Sequence, residues 1–147
     1  MNIFLDSSVA IAASLSATGA SREVFNHAAS QGWRLLVSPW VLREVRDNLA
    51  NKPPEAARTW VSLRAKATVE YDELTFDWPI VFEASKDKPV LFSALACADV
   101  LLTLDRRDFR ELLGQTIYGL SVLTPGEFLR IEREAKRLFN VAFPATP

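Results

Sequence analysis

Four acidic residues, Asp6, Glu44, Asp87 and Asp105, occupy positions from which they could act together. Asp6 follows the apolar run Asn2-Ile3-Phe4-Leu5, and Asp105 follows Val100-Leu101-Leu102-Thr103-Leu104. Both runs read as buried strands. An acid directly after a strand of a parallel sheet stands at the carboxyl rim, where such sheets bind ligands, so these two share one edge. The Thr103 hydroxyl lies on the same side of its strand as Asp105. Ser7 and Ser8 add oxygens beside Asp6. Glu44 lies about one and a half turns into the helix after the second strand, beside Val41 at the edge of its apolar stripe. Asp87 opens a helix that runs antiparallel to the strands, which brings its N-terminus back to the same rim.

Four carboxylates crowded together repel, and some must take up protons unless a cation joins them. A hard divalent ion, Mg²⁺ or Mn²⁺, prefers carboxylate oxygens, retains water and binds phosphate. An all-oxygen donor set therefore points to metal-dependent phosphoryl chemistry. With one histidine and a single cysteine placed in a helix, zinc is disfavoured. Taken singly, Asp6, Asp87 and Asp105 each also fit a helix N-cap, and Asp105 with Asp108 has the spacing of a variant capping box. Glu44 alone fits an exposed helix acid. Capping does not explain four acids at one rim, and a cap can also be a ligand.

The elements that must position these groups alternate between strand and helix. Strands are predicted at 2–5, 34–38, 67–71, 100–104 and 120–123. Helices are predicted at 9–15, 21–30 with Ser21 as cap and Gly32 as stop, 39–48 with Ser38 as cap and Pro39 at the first position, and 55–66. Further helices are predicted at 80–85, at 89–98 with Asp87 as cap, at 105–113 with Asp105 as cap and Gly114 as stop, and from Thr124-Pro125 to about Phe139. Continuous apolar strands between helices indicate an α/β protein, a three-layer α/β/α arrangement with a mostly parallel sheet of about five strands. One domain over 1–139 and a loosely ordered tail over 140–147 are expected.

In order and spacing these segments resemble the PIN-domain family, and the match runs over most of the chain. Its parts are Ile3-Phe-Leu-Asp6-Ser-Ser-Val9, Ser38-Pro-Trp-Val-Leu-Arg-Glu44, Lys86-Asp87-Lys-Pro-Val90-Leu91, Ala98-Asp-Val-Leu-Leu-Thr103-Leu-Asp105 and Thr124-Pro-Gly-Glu-Phe128-Leu129. The resemblance implies a metal-dependent ribonuclease, often the VapC-like toxin of a type II toxin–antitoxin pair. It implies metal-site roles for Asp6, Glu44, Asp87 and Asp105, with Thr103 and Ser7 or Ser8 in support. One departure is Leu104, where many members carry glycine, and it is expected to narrow the backbone approach to Asp105. Arg43, Lys86 and Arg106 flank the acids in sequence and are candidates for RNA phosphates. Expected partners are RNA, an antitoxin and a second copy of the chain.

Composition adds bounds. The chain has 147 residues and a formal net charge of −1, so nucleic-acid binding must rest on local charge and a metal rather than a global basic field. Cys97 cannot form an internal disulfide and reads as a buried structural thiol, which points to a reducing, cytoplasmic setting. No signal peptide or membrane-spanning run is evident. His27 reads as a packing or surface residue, and the four tryptophans are too dispersed for a stacking platform. Glu70, Asp72, Glu73 and Asp77 read as a solvated loop, and Asp99 as belonging to the opposite rim. The alternatives are a PIN fold that binds RNA or protein without cutting, an Asp-nucleophile phosphatase and a phospho-acceptor receiver. The phosphatase needs a second aspartate where Ser8 stands. The receiver needs paired acids after the first strand and a later lysine, which are not found.

Overall fold

Short apolar runs form the centre of the molecule because they are buried on both faces. The computed structural model describes residues 1–138; the tail expected at 140–147 and Phe139 lie outside the described residues. The strands are β1 (Asn2–Leu5), β2 (Arg34–Val37), β3 (Ala67–Val69), β4 (Val100–Leu102), β5 (Thr116–Ile117) and β6 (Leu120–Leu123). They form one sheet in the order β3-β2-β1-β4-β6-β5. Every neighbouring pair is parallel except β5 and β6. Ile3, Phe4 and Leu5 are wholly buried, and so are Leu101 and Leu102. Because side chains alternate across a strand, burial of successive residues means that helices cover both faces.

The helices are α1 (Ser7–Leu15), α2 (Ala20–Gln31), α3 (Pro39–Leu49), α4 (Pro54–Arg64), α5 (Lys88–Cys97) and α6 (Pro125–Glu134). Ser38 caps α3 through Val41 N (3.4 Å) and Thr124 caps α6 through Glu127 N (3.2 Å), each with proline in the first turn. Gly32 closes α2 at φ 68°, a left-handed conformation that glycine adopts without strain. The residue capping α2 is Gly19 rather than Ser21, which is buried one position inside the helix. No helix among the described residues is long and apolar enough to cross a membrane.

Two expected helices do not form. Over 80–84 the chain forms neither helix nor strand, with Val81 and Glu83 exposed on either side of buried Phe82, and only Ser85–Asp87 makes a 3-10 turn. Period-two burial suits an extended segment, not a helix. Residues 106–114 form successive turns instead of an α-helix. Phe109 is fully buried against Phe82, ring centroids 5.1 Å apart, and the bond from Leu112 N to Phe109 O (2.9 Å) closes a tighter turn. A further strand, β5, is only two residues long, too short for a pattern to show. It joins β6 through Tyr118 and Gly119, both at positive φ (48° and 81°), as a tight antiparallel hairpin requires.

The sheet's centre sets its stability. Leu101→Ala removes a wholly buried side chain from β4 and is expected to cost about 2–5 kcal/mol in urea unfolding. A loss below about 1 kcal/mol would mean that the layers are not packed as described.

Candidate active site

Parallel pairing of β1 with β4 puts Leu5 beside Leu102, so the residues that follow both strands emerge together. Asp6 is 3% exposed and held by three donors. Its Oδ1 accepts from Ser7 N (2.8 Å), and its Oδ2 from Ser8 Oγ (2.7 Å) and Thr103 Oγ1 (2.8 Å). Thr103 Oγ1 in turn accepts from Asp105 N (3.0 Å), which ties the backbone of one acid to the side chain of the other. Ser7 Oγ donates to Glu44 Oε2 (3.0 Å), linking α3 to the same network. Burial pushes the Asp6 carboxyl above its ordinary range against these hydrogen bonds, and the charge of Asp105 adds to the rise. Glu44, half-buried, is raised chiefly by desolvation, with Asp6 a further cause.

Asp87, Asp105 and Asp108 each bring a carboxylate oxygen within 4.8 Å of the others. Asp105 Oδ1 accepts from Arg107 N (3.1 Å) and Asp108 N (2.9 Å), so its capping role survives without a helix. Asp87 occupies the N-cap position of α5 but makes no capping bond. Its side chain belongs to the rim, where it is 5% exposed and its Oδ2 has no hydrogen-bond partner among the described residues. Two facing carboxylates are both acceptors, so their approach needs a proton or a cation between them. Without a cation, burial first, then the proton shared with Asp108 and the nearby charge of Asp6, push Asp87 up to about 8. The same shared proton, with Lys86, holds Asp108 below its ordinary range. Lys86 Nζ lies 3.3 Å from Asp108 Oδ2.

The donor set fits a hard divalent ion. It is all oxygen, it contains a buried orphan oxygen, and it is clustered on a scaffold of short hydrogen bonds. The four acids read from the sequence all lie at this rim, Glu44 through Ser7 at its border. Asp108, assigned by spacing to a capping box, makes that bond through its N–H and is also a member of the tightest group. Its signal was present: an acid in the loop immediately after a central strand, three residues beyond another. Leu104 is 39% exposed, and its N–H donates to Ser8 Oγ (3.0 Å). Of the flanking cations, Lys86 reaches the cluster, Arg106 is exposed on the turn beyond Asp105, and Arg43 lines a groove between α3 and α4.

No protein-family model and no curated protein matches the sequence. The fold does match. A chain in the crystal structure of VapBC2 from Rickettsia felis, bound to a DNA fragment from their promoter, aligns with a TM-score of 0.59 over 83% of this chain and 97% of that one, at 13% identity. At that identity the likeness is one of fold: α/β, mostly parallel and PIN-like. Within it, Cys97 is half-buried and donates to Ser93 O (3.0 Å), and desolvation raises its thiol to about 11, as an inert structural thiol requires. His27 is buried on α2, 3.7 Å from Glu23. Asp99 sits at the opposite rim, accepting from Asn2 N (2.8 Å). Glu70 pairs with Arg34, and Asp72 accepts from Trp40 N (3.1 Å), so part of the acidic segment after β3 is anchored.

The crowding has a measurable consequence. With the Asp87 carboxyl raised from 3.8 to about 8, the folded chain binds a proton more tightly than the unfolded chain across that window. Metal-free stability therefore falls as pH rises between about 4 and 8. The depressed Asp108 acts only at the acid end, below its ordinary range. Thermal melting in chelator is expected to show this fall. Mg²⁺ or Mn²⁺ should restore more stability at pH 8.5 than at pH 5, and Asp87→Asn should flatten the slope. A metal-free melting temperature that rises through the window would contradict the arrangement.

Proposed function

We propose that this chain is a Mg²⁺- or Mn²⁺-dependent endoribonuclease that hydrolyses RNA phosphodiester bonds, and that it is the toxin of a type II toxin–antitoxin pair. The observation that carries this reading is Asp87: buried, making no capping bond, with Oδ2 unpartnered among the described residues and a carboxylate oxygen within 4.8 Å of those of Asp105 and Asp108. Asp6, Asp87, Asp105 and Asp108 are the residues that would hold the ion, with Glu44 directly or through water. A bound divalent ion supplies positive charge for the scissile phosphate and an acidified water as nucleophile.

The chain's own groups do the rest. Ser8 and Thr103 fix the Asp6 side chain in one rotamer, so no reorganisation is needed when a phosphate arrives. Thr103 also sets the Asp105 backbone. Glu44, half-buried and with its carboxyl above the ordinary range, is placed to accept a proton at the edge of the cluster. Lys86 partly neutralises Asp108 and offers the nearest cation to an entering phosphate. Arg106 and Arg43 are assigned to more distant phosphates of the strand. Cleavage leaves a 5′-phosphate and a 3′-hydroxyl.

An antitoxin partner is assigned to the groove between α3 and α4, a hollow of about 660 Å³. Leu42, Leu49, Trp60 and Val61 give it apolar walls, and Arg43, Arg46 and Arg64 line it with positive charge. That combination suits an amphipathic acidic segment. A second copy of the chain, and a cytoplasmic setting, complete the proposal. The VapBC2 likeness supports the scaffold on which it rests.

The test is cleavage of single-stranded RNA with Mg²⁺ or Mn²⁺. Asp6→Asn, Asp87→Asn and Asp108→Asn are each expected to lower kcat/KM by roughly 100-fold or more, and Thr103→Val by roughly 10–100-fold as an outer support. Expression in a bacterial host should halt growth, and Asp6→Asn should relieve it. Cleavage unchanged in all three aspartate variants, or absent with either metal, would reject the enzyme; RNA binding without cleavage would favour a non-catalytic binding module.

A further inference from the structure

A cavity of about 400 Å³ opens beside the acid cluster, and Asp108 lines both. One wall is the segment 82–84, the other the turns from 107 to 111. Phe82 and Phe109 are buried against each other and tie the two walls together, so the hollow is part of the fold. Arg107 and Arg110 line it, and so do Glu83 and Glu111. All four are exposed. Among the described residues neither arginine forms an ion pair, and the cation that meets Asp108 is Lys86.

Two arginines alone would suit any phosphate, but two glutamates and Asp108 oppose a bare anion. The mixture suits a ligand that is anionic at one end and rich in N–H donors at the other. A nucleotide is such a ligand, and the volume lies at the small end of small-molecule sites. Guanine fits the carboxylates best. It presents an imino N–H and an amino group side by side, so one carboxylate accepts from both, whereas adenine and cytosine offer only an amino group and uracil only an imino N–H. Single-stranded RNA leaves that edge free to be read.

We propose that this cavity binds one nucleotide of the substrate strand next to the scissile phosphate, with Arg107 and Arg110 on its phosphate and Glu83 and Glu111 selecting guanine. The assignment rests on the nuclease reading and gives it a sequence preference. Asp108 is the hinge between the two: it belongs to the acid cluster and to the cavity wall, so a nucleotide seated there adjoins the reacting bond.

The experiment uses the Asp6→Asn full chain, to prevent cutting, and labelled uridine oligomers carrying one central guanosine, inosine or uridine, with binding read by fluorescence anisotropy in Mg²⁺. Guanosine is expected to bind roughly tenfold more tightly than uridine, with inosine, which lacks the amino group, between them. Glu83→Gln with Glu111→Gln should abolish the preference while leaving the uridine oligomer's affinity within about threefold. Arg107→Ala with Arg110→Ala should weaken all three alike and reduce the salt dependence by about two phosphate contacts. Equal affinity for guanosine and uridine, or a preference that persists in the double glutamine variant, would overturn the proposal. If the parent chain cuts RNA yet shows no guanine preference, this assignment falls alone. If no oligomer binds, it falls together with the nuclease reading.

Discussion

Repulsion among carboxylates that the fold forces together is the interaction on which the rest of the molecule turns. A parallel pairing of two central strands brings Asp6 and Asp105 to one edge, and the helix entering at Asp87 closes on them from above. Three of the acids meet within 4.8 Å, and a fourth is buried beside them. Such an arrangement costs stability unless protons or a cation neutralise it. The chain carries it beside a largely apolar core. Sites that violate the ordinary rules of packing are where function is to be sought.

The scaffold limits the cost in a specific way. Ser7, Ser8 and Thr103 satisfy Asp6 with neutral donors, which hold it in place without cancelling its charge. An arginine in their place would have satisfied the carboxylate and removed it from the site's chemistry. Lys86, itself exposed, forms its ion pair with Asp108. The buried acids are therefore held by neutral donors or protons that a cation can replace, and Asp108 is partly balanced by Lys86. That arrangement suits a small cation held inside and a polyanion held outside.

Much of the site was legible in the sequence because Asp6 and Asp105 come soon after apolar runs that form central strands, although β4 ends at Leu102 rather than at Leu104. Asp6 after Leu5 and Asp105 after Leu104 need only the topology to be neighbours. Glu44 and Asp87 needed the helices at 39–49 and 88–97; Ser38, Pro39 and an apolar stripe announce the first, and Pro89 with the apolar run after it announces the second. Asp108 carried a signal that reads two ways, because the same spacing that makes a capping box also places an acid at the rim; only tertiary packing separates the two. The helices expected at 80–85 and 105–113 failed for a related reason. Phe82 and Phe109 are drawn into one contact across the two segments, and that long-range burial overrides local propensity. The cavity between those segments was invisible for the same cause. The short β5 strand depends on a left-handed tyrosine, Tyr118, which carries no signal of its own.

The central claim is that the crowded aspartates exist to hold a divalent ion. A crystal grown in Mn²⁺ and measured on either side of the manganese absorption edge tests it without reference to activity. An anomalous peak is expected among Asp87, Asp105 and Asp108, within coordinating distance of at least two of their carboxylates. No peak at saturating Mn²⁺ in a well-ordered crystal, or manganese bound only away from these residues, would contradict it.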